Sequence, residues 1–271
     1  MKWLMALALI TSTAGLCSAS GLDEFKGEKG VLRISGGTAH IPVMKEAAKR
    51  IMAVNPDIQI TIAGGGSGAG IKQVGEGLVD IGNSGRKATE TETEKFGLAI
   101  YKWAIDGVAT VVNPENRMKK MSTKELQDIF TGKISNWKAL GGEDRPINIY
   151  TRDASSGTRE VFWKKALGKG DISGKANFVA SNGAMKSAVT NDPYAIGYVS
   201  VGYIDHTVAP VTLDNVIPSL ATVKTGEYKV ARGLFSNTKG EAEGLAKKFI
   251  DYLLSPDGQK IAAEKGFIPV N

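Results

Sequence analysis

Residues 61–73, TIAGGGSGAGIKQ, set three consecutive glycines ahead of Ser67, Gly68, Ala69 and Gly70. Glycine loses more backbone freedom on folding than any other residue, so something must come close to the backbone here and keep side chains out. Upstream, Ile58, Ile60 and Ile62 alternate with polar residues at the period of a strand. Downstream, Ile71, Val74 and Leu78 recur at helical spacing. The loop therefore joins the end of a strand to the start of a helix, where free backbone N–H groups and the helix dipole attract anions. The Ser67 hydroxyl adds a donor at the same place. Such a unit belongs to an α/β fold.

The logic is repeated twice with different letters. In PINIYTRDASSGTREVFWKKAL, Ile147 and Ile149 read as strand residues, followed by Arg152 and then by Ser155, Ser156, Gly157 and Thr158 at a helix start. Arg152 supplies a fixed fork of donors suited to an oxyanion. In VLRISGGTAHIPVMKEAAKRI, a strand runs through Gly36, Gly37 and Thr38 into a helix with Ile41, Met44, Ala48 and Ile51 on its apolar face and Pro42 in its first turn. One such loop alone is equally a tight turn with a helix cap. Three hydroxyl-bearing loops point to one shared anion site. Ser122 with Glu125, in KKMSTKELQDIF, predicts a structural capping box.

Several other chemistries fit poorly. A Walker loop needs Gly-Lys-Ser/Thr, but Lys72 stands between Ile71 and Gln73. Gly64, Gly66 and Ala69 meet only the loose dinucleotide pattern. Residues 65–69, GGSGA, approach the nucleophile elbow G-x-S-x-G, so a secreted serine hydrolase using Ser67 is the rival from another class, with His206 as the base that its chain order leaves. With His40 and His206 the only histidines, clusters built on several histidines are excluded, and no metal or cofactor is expected. His206 is expected in an exposed loop, and His40, two residues after Thr38, at the surface of the helix entry or, alternatively, lining the site. A net charge of +6 is spread among acidic residues and carries no nucleic-acid footprint.

The first residues, MKWLMALALITSTAGLCSAS, have the layout of a secretory signal peptide, with cleavage expected after Ala19. The alternative is a lipoprotein acylated at Cys17, although Leu16 precedes it where a small residue is wanted. Cleavage after Ala19 would leave a chain without cysteine, excluding disulfide and thiol chemistry.

Eight blocks then occur in order: GGTAHIP, GGGSGAGIK, GLVDIGNSGRKATETE, DIFTGKISNWKALGG, TRDASSGTRE, SNGAMKSAV, AIGYVSVGYID and LLSPDGQKIAAEKGFIPV. Together they make the chain similar to the periplasmic phosphate-binding proteins of bacterial phosphate ABC transporters, over essentially all of the mature length. The resemblance implies a type II periplasmic-binding-protein fold of two α/β lobes joined by crossover strands, with the ligand in the cleft between them. Lobe I would hold 22–112 and 226–271, and lobe II 113–225. GVATVVN and VARGLFSNT would supply the crossovers, with Val111, Val112 and Asn113 at the hinge. The protein would be a monomer that binds phosphate and meets permease and ATPase subunits. The ligand contacts implied are Thr38, Ala39, Ser67, Arg152, Ser156, Gly157 and Thr158, with Gly68 and Asn182 as neighbours. Sulfate, molybdate or tungstate is the alternative ligand.

One position departs from part of that family. Some members carry an Asp after a small-Ser pair, as an acceptor for the proton of phosphate; here the stretch reads Asn83-Ser84-Gly85-Arg86, as in the family's shorter branch. Ser84 and Arg86 are therefore candidates for the site, Arg86 as a second cation or as an ion-pair partner of the following Glu-rich helix. Asp153 is the nearest carboxylate in sequence and the first substitute acceptor to consider, its other reading being an ion-pair partner.

Overall fold

The computed structural model describes residues 21–270. The expected leader at 1–19, and Cys17 within it, lie outside the described residues. The first strands are β1 (Gly30–Gly36), β2 (Ile58–Gly65), β3 (Ile81–Ser84), β4 (Leu98–Val112), β5 (Lys120–Met121) and β6 (Asn148–Thr151). They continue with β7 (Asn177–Phe178), β8 (Ala195–Ser200), β9 (Ala209–Pro210), β10 (Thr212–Leu213), β11 (Ala231–Lys239) and β12 (Ile268–Pro269). The helices that bear on the site are α1 (Ile41–Val54), α2 (Ser67–Gly75), α3 (Glu90–Phe96), α4 (Thr123–Thr131), α5 (Gly157–Lys165) and α6 (Asn182–Asn191).

Most strands join one mixed sheet in the order β2-β1-β3-β11-β4-β8-β6-β7, with β9 and β12 also on β4. At one end β1 lies parallel to β2 and β3, and at the other β6 lies parallel to β7 and β8. These are the strand–loop–helix units that the hydrophobic periodicity predicts. Between them β11 runs antiparallel to β3 and β4, and β4 antiparallel to β8.

Local sequence explains the elements. In α1 the buried residues are Val43, Met44, Ala47, Ala48 and Ile51, with Pro42 in the first turn, where a missing N–H costs nothing. Ile58 and Ile60 are buried on β2, and Ile71 and Val74 on α2. Leu78, expected on the same helical face, is 61% exposed because α2 ends at Gly75 and Gly77 turns the chain at φ +72°. The capping box at Ser122 and Glu125 forms at the start of α4.

Two main hydrophobic cores flank the middle of the sheet. One gathers Leu32, Ile34, Met44, Ile51, Ile81, Trp103, Ala104, Leu234, Phe249 and Phe267. The other gathers Val108, Val111, Val112, Leu126, Phe130, Phe162, Met185, Ile196, Tyr198 and Val230. β4 thus passes from the first core to the second between Ala104 and Val108, and the chain returns between Val230 and Leu234. The residues expected at the hinge do not lie at this passage. Val111 and Val112 are inner-strand residues of the second core, and Asn113 donates to the carbonyls of Val189 and Thr190 at the end of α6. An apolar run such as GVATVVN is better buried in a core than left as a bare connector.

Candidate functional site

Two backbones come close to the glycine loop. The first is the floor of the sheet: a Cβ on Gly36 would fall 2.3 Å from the Asn83 carbonyl oxygen, and one on Gly70 would fall 2.5 Å from the same atom. The second belongs to the loop before α5. Gly66, at φ +89°, would place a Cβ 2.8 Å from the Ser155 carbonyl oxygen, and the Gly68 N–H donates to that oxygen at 3.0 Å. The loop's glycines therefore let the β2–α2 turn press against β3 and against the second core's anion loop.

Where these loops meet they enclose a small, tightly closed cavity. Gly37, Thr38, Ala39, His40, Gly66, Ser67 and Gly85 line it from the first side. Arg152, Ser156, Gly157, Thr158 and Arg232 complete it. All seven principal residues expected from the sequence, Thr38, Ala39, Ser67, Arg152, Ser156, Gly157 and Thr158, are thus brought together.

Four hydroxyls face this space, and each already accepts from the protein. Thr38 Oγ1 accepts from the Asn182 backbone N–H at 3.2 Å and from Asn182 Nδ2 at 3.0 Å. Thr158 Oγ1 accepts from Arg232 Nη2 at 3.0 Å. Ser67 Oγ accepts from the Gly85 N–H at 2.9 Å, and Ser156 Oγ, the N-cap of α5, accepts from the Arg159 N–H at 3.2 Å. None of the four donates a hydrogen bond among the described residues. Their protons are available to an acceptor in the cavity.

Arg152 is only 1% exposed. Its Nη2 donates to the Ala180 carbonyl at 2.9 Å, Nη1 reaches Thr38 Oγ1 at 3.5 Å, and Nε is buried with no partner among the described residues. Burial pushes its pKa down, opposed by the Tyr198 and Asp153 side chains. Among the described residues this buried cation has a bare donor and no bonded carboxylate, so the protein leaves its charge uncompensated.

The secondary candidates fare differently. Asn182 is buried behind the wall and bridges Thr38 and Thr158, with Nδ2 at 3.0 and 3.4 Å from their hydroxyl oxygens. Gly68 spends its N–H on Ser155 and does not line the cavity. Ser84 donates to the Arg86 carbonyl at 2.8 Å and accepts from Asn237, so it too is turned away. Arg86 is not a cation of the cavity: Nη1 and Nη2 grip Glu92 at 2.6 and 2.7 Å, and Nε lies 2.9 Å from Glu160. The Arg86 hydrogen bonds hold Glu92 down to about 2. Asp153 is exposed, and its Oδ1 accepts from the Ser155 N–H and hydroxyl. It cannot serve as an acceptor inside.

Two further residues line the cavity, Arg232, which was not foreseen there, and His40, for which lining the site was only the alternative. His40, expected at the surface, is fully buried, with Nδ1 3.0 Å from the Gly37 carbonyl and its ring edge-on to Trp103. Burial, reinforced by the Arg232 charge, lowers its pKa to about 3, so the imidazole is neutral. No local signal marks it. Arg232 reaches the cavity from β11, far from any anion loop in sequence. The hydrolase alternative loses its base, since His206 is exposed in the loop after β8.

Residues 23–257 match the family model of a PBP superfamily domain. Phosphate-binding protein PstS of Bacillus subtilis (strain 168) is 43% identical over 276 residues, covering all of this chain and 92% of that protein. The protein of the same name from Borreliella burgdorferi is 28% identical, over 100% of this chain and 99% of its own. Among solved structures, a Clostridium perfringens protein with bound phosphate matches with a TM-score of 0.83 at 36% identity, over 89% of this chain and 100% of its own. An ABC-type phosphate transport receptor from Vibrio cholerae matches with a TM-score of 0.70 at 31% identity, over 89% and 100%.

Proposed function

We propose, from the premise that the chain belongs to the PBP superfamily and to its phosphate-binding proteins, that it captures inorganic phosphate and delivers it to an ABC-type permease with its ATPase. The observation that carries this reading is Arg152, buried, with no carboxylate bonded to it among the described residues and ringed by four hydroxyls whose protons none of those residues accept. Removing such a charge from water is costly unless an opposite charge joins it. Thr38, Ser67, Ser156 and Thr158 donate from their hydroxyls, Ala39 and Gly157 from their backbone N–H groups, and Arg152 supplies the charge. The N-terminus of α5 adds its dipole at Gly157.

In this reading the two cores are two lobes, residues 22–104 with 234–270 and residues 108–230, that close about 105–107 and 231–233. The closed form is held by contacts across the cleft, among them Tyr203 Oη on the Thr38 carbonyl at 2.6 Å and the Gly68–Ser155 bond. The protein works as a monomeric carrier in the periplasm and transforms nothing. Export would use the leader at 1–19. Titration calorimetry of the mature chain with phosphate, arsenate, sulfate, molybdate and tungstate tests the reading. Saturable, tight binding of phosphate is expected; no phosphate heat, or tighter binding of sulfate, molybdate or tungstate, overturns it.

A further inference from the structure

A second cation reaches the cavity from outside the anion loops. Arg232 lies on β11 where the chain returns from the second core to the first, directly opposite Asp106 of β4 in the antiparallel register. Its Nε and Nη2 donate to Asp106 Oδ2 at 3.0 and 2.9 Å, and Nη2 also donates to Thr158 Oγ1 at 3.0 Å. Nη1 makes no hydrogen bond among the described residues. A Cβ on Gly85 would lie 2.5 Å from Nη1, and Gly85 and Arg232 both line the cavity. Asp106 is fully buried, does not line the cavity, and accepts from Ser200 Oγ on its other oxygen at 2.7 Å. The pair is therefore a fixed dipole with its negative end held in the strand junction and its positive end at the cavity.

We propose that Arg232 is a second cationic ligand of the bound anion, presented by the returning crossover strand, and that Gly85 keeps the space through which it reaches. The proposal rests on the phosphate reading of this cavity. It explains why the stretch 83–86 carries no Asp. A carboxylate at Gly85 would need the volume that Arg232 Nη1 occupies. Among the described residues no carboxylate lines the cavity, and its polar side chains are donors apart from the neutral His40. Such a site selects its ligand by negative charge, and a guanidinium attracts a dianion about twice as strongly as a monoanion. The site is thus built for the doubly charged form of phosphate.

Phosphate titrations from about pH 5 to about pH 8, across the second ionisation of phosphate, test this on the mature chain. Arg232→Gln should weaken binding by about 10–100-fold at the upper end of that range, and by distinctly less at the lower end. Because that variant leaves Asp106 buried alone, Asp106→Asn combined with Arg232→Gln carries the same expectation without a lone charge. Gly85→Ala keeps both charges, crowds Nη1 and should weaken phosphate several-fold. Parent-like dissociation constants in the folded variants would overturn the proposal. So would a loss of equal size at every pH, the mark of a purely structural role. A parent chain that binds no phosphate at any pH would instead defeat the functional reading on which the proposal stands.

Discussion

Two loops bring an arginine to the cleft, residues 152–158 and residues 84–92, and they treat its charge in opposite ways. Arg86 is gripped by Glu92 from its own side and touched by Glu160 of α5 from across the cleft. Its charge is satisfied before any ligand arrives. Arg152 is more deeply buried, yet its bonds go to a carbonyl and a hydroxyl, and its Nε has no partner among the described residues. An arginine's place in a binding site follows from which carboxylates reach it in three dimensions, more than from its nearness to a glycine-rich turn. In the proposed function, Arg86 is a clasp between the lobes and Arg152 the receptor of the anion.

The comparison breaks first at Arg152. Arg152→Gln should lower phosphate affinity by about 10–100-fold or more, since a charge-assisted bond to the anion is lost. The ligand-free protein should keep its stability, because an uncompensated buried charge has gone. Calorimetry paired with thermal unfolding checks both, and an unchanged dissociation constant would remove Arg152 from the site.

His40 sharpens the contrast, because an imidazole can shed the proton that an arginine keeps. Its pKa is lowered to about 3 in the folded state from 6.5, so protons bind more readily to the unfolded chain between these values. Stability contributed by the neutral form is present above about pH 6.5 and declines as pH falls toward 3. From this group alone the protein should be about 2 kcal/mol less stable at pH 5 than at pH 7. Denaturant unfolding of the parent and of His40→Asn at the two pH values measures it; an equal acid loss in both would assign the effect elsewhere.

A smaller effect is expected at the clasp. Arg86→Ala removes a partly exposed pair across the cleft, worth about 0.2–1 kcal/mol, so phosphate affinity should fall only a few-fold and become less sensitive to salt. A loss as large as that of Arg152→Gln would erase the distinction drawn between the two arginines. The smallest expectation is for Asp153→Asn. Asp153 is exposed and tied to Ser155, so competition between phosphate and sulfate should not change. A marked gain in sulfate binding would return Asp153 to the cavity as an acceptor.

Much of the cavity's lining was legible along the chain. The seven residues from Thr38 to Thr158 sit at strand ends and helix starts, and strand alternation, helical spacing and hydroxyl-bearing turns are local properties. The capping box at Ser122 was legible for the same reason. The passage between the cores was not. GVATVVN reads as an apolar connector or as a core strand with equal ease, and only the packing of Val108, Val111 and Val112 against Phe130 and Tyr198 distinguishes them.

By itself, then, the sequence determined the α/β units, their anion-facing loops and Arg152, because each is encoded within one turn's reach of its neighbours. Tertiary structure alone decided the pairings. It set Ser155 against the glycines of 66–68, turned Arg86 toward Glu92 and Glu160, and joined Arg232 to Asp106 across 126 residues. Whether a charge is free to meet a ligand depends on which opposite charges lie within a few ångströms, and residues distant in the chain supply them only when the sheet closes.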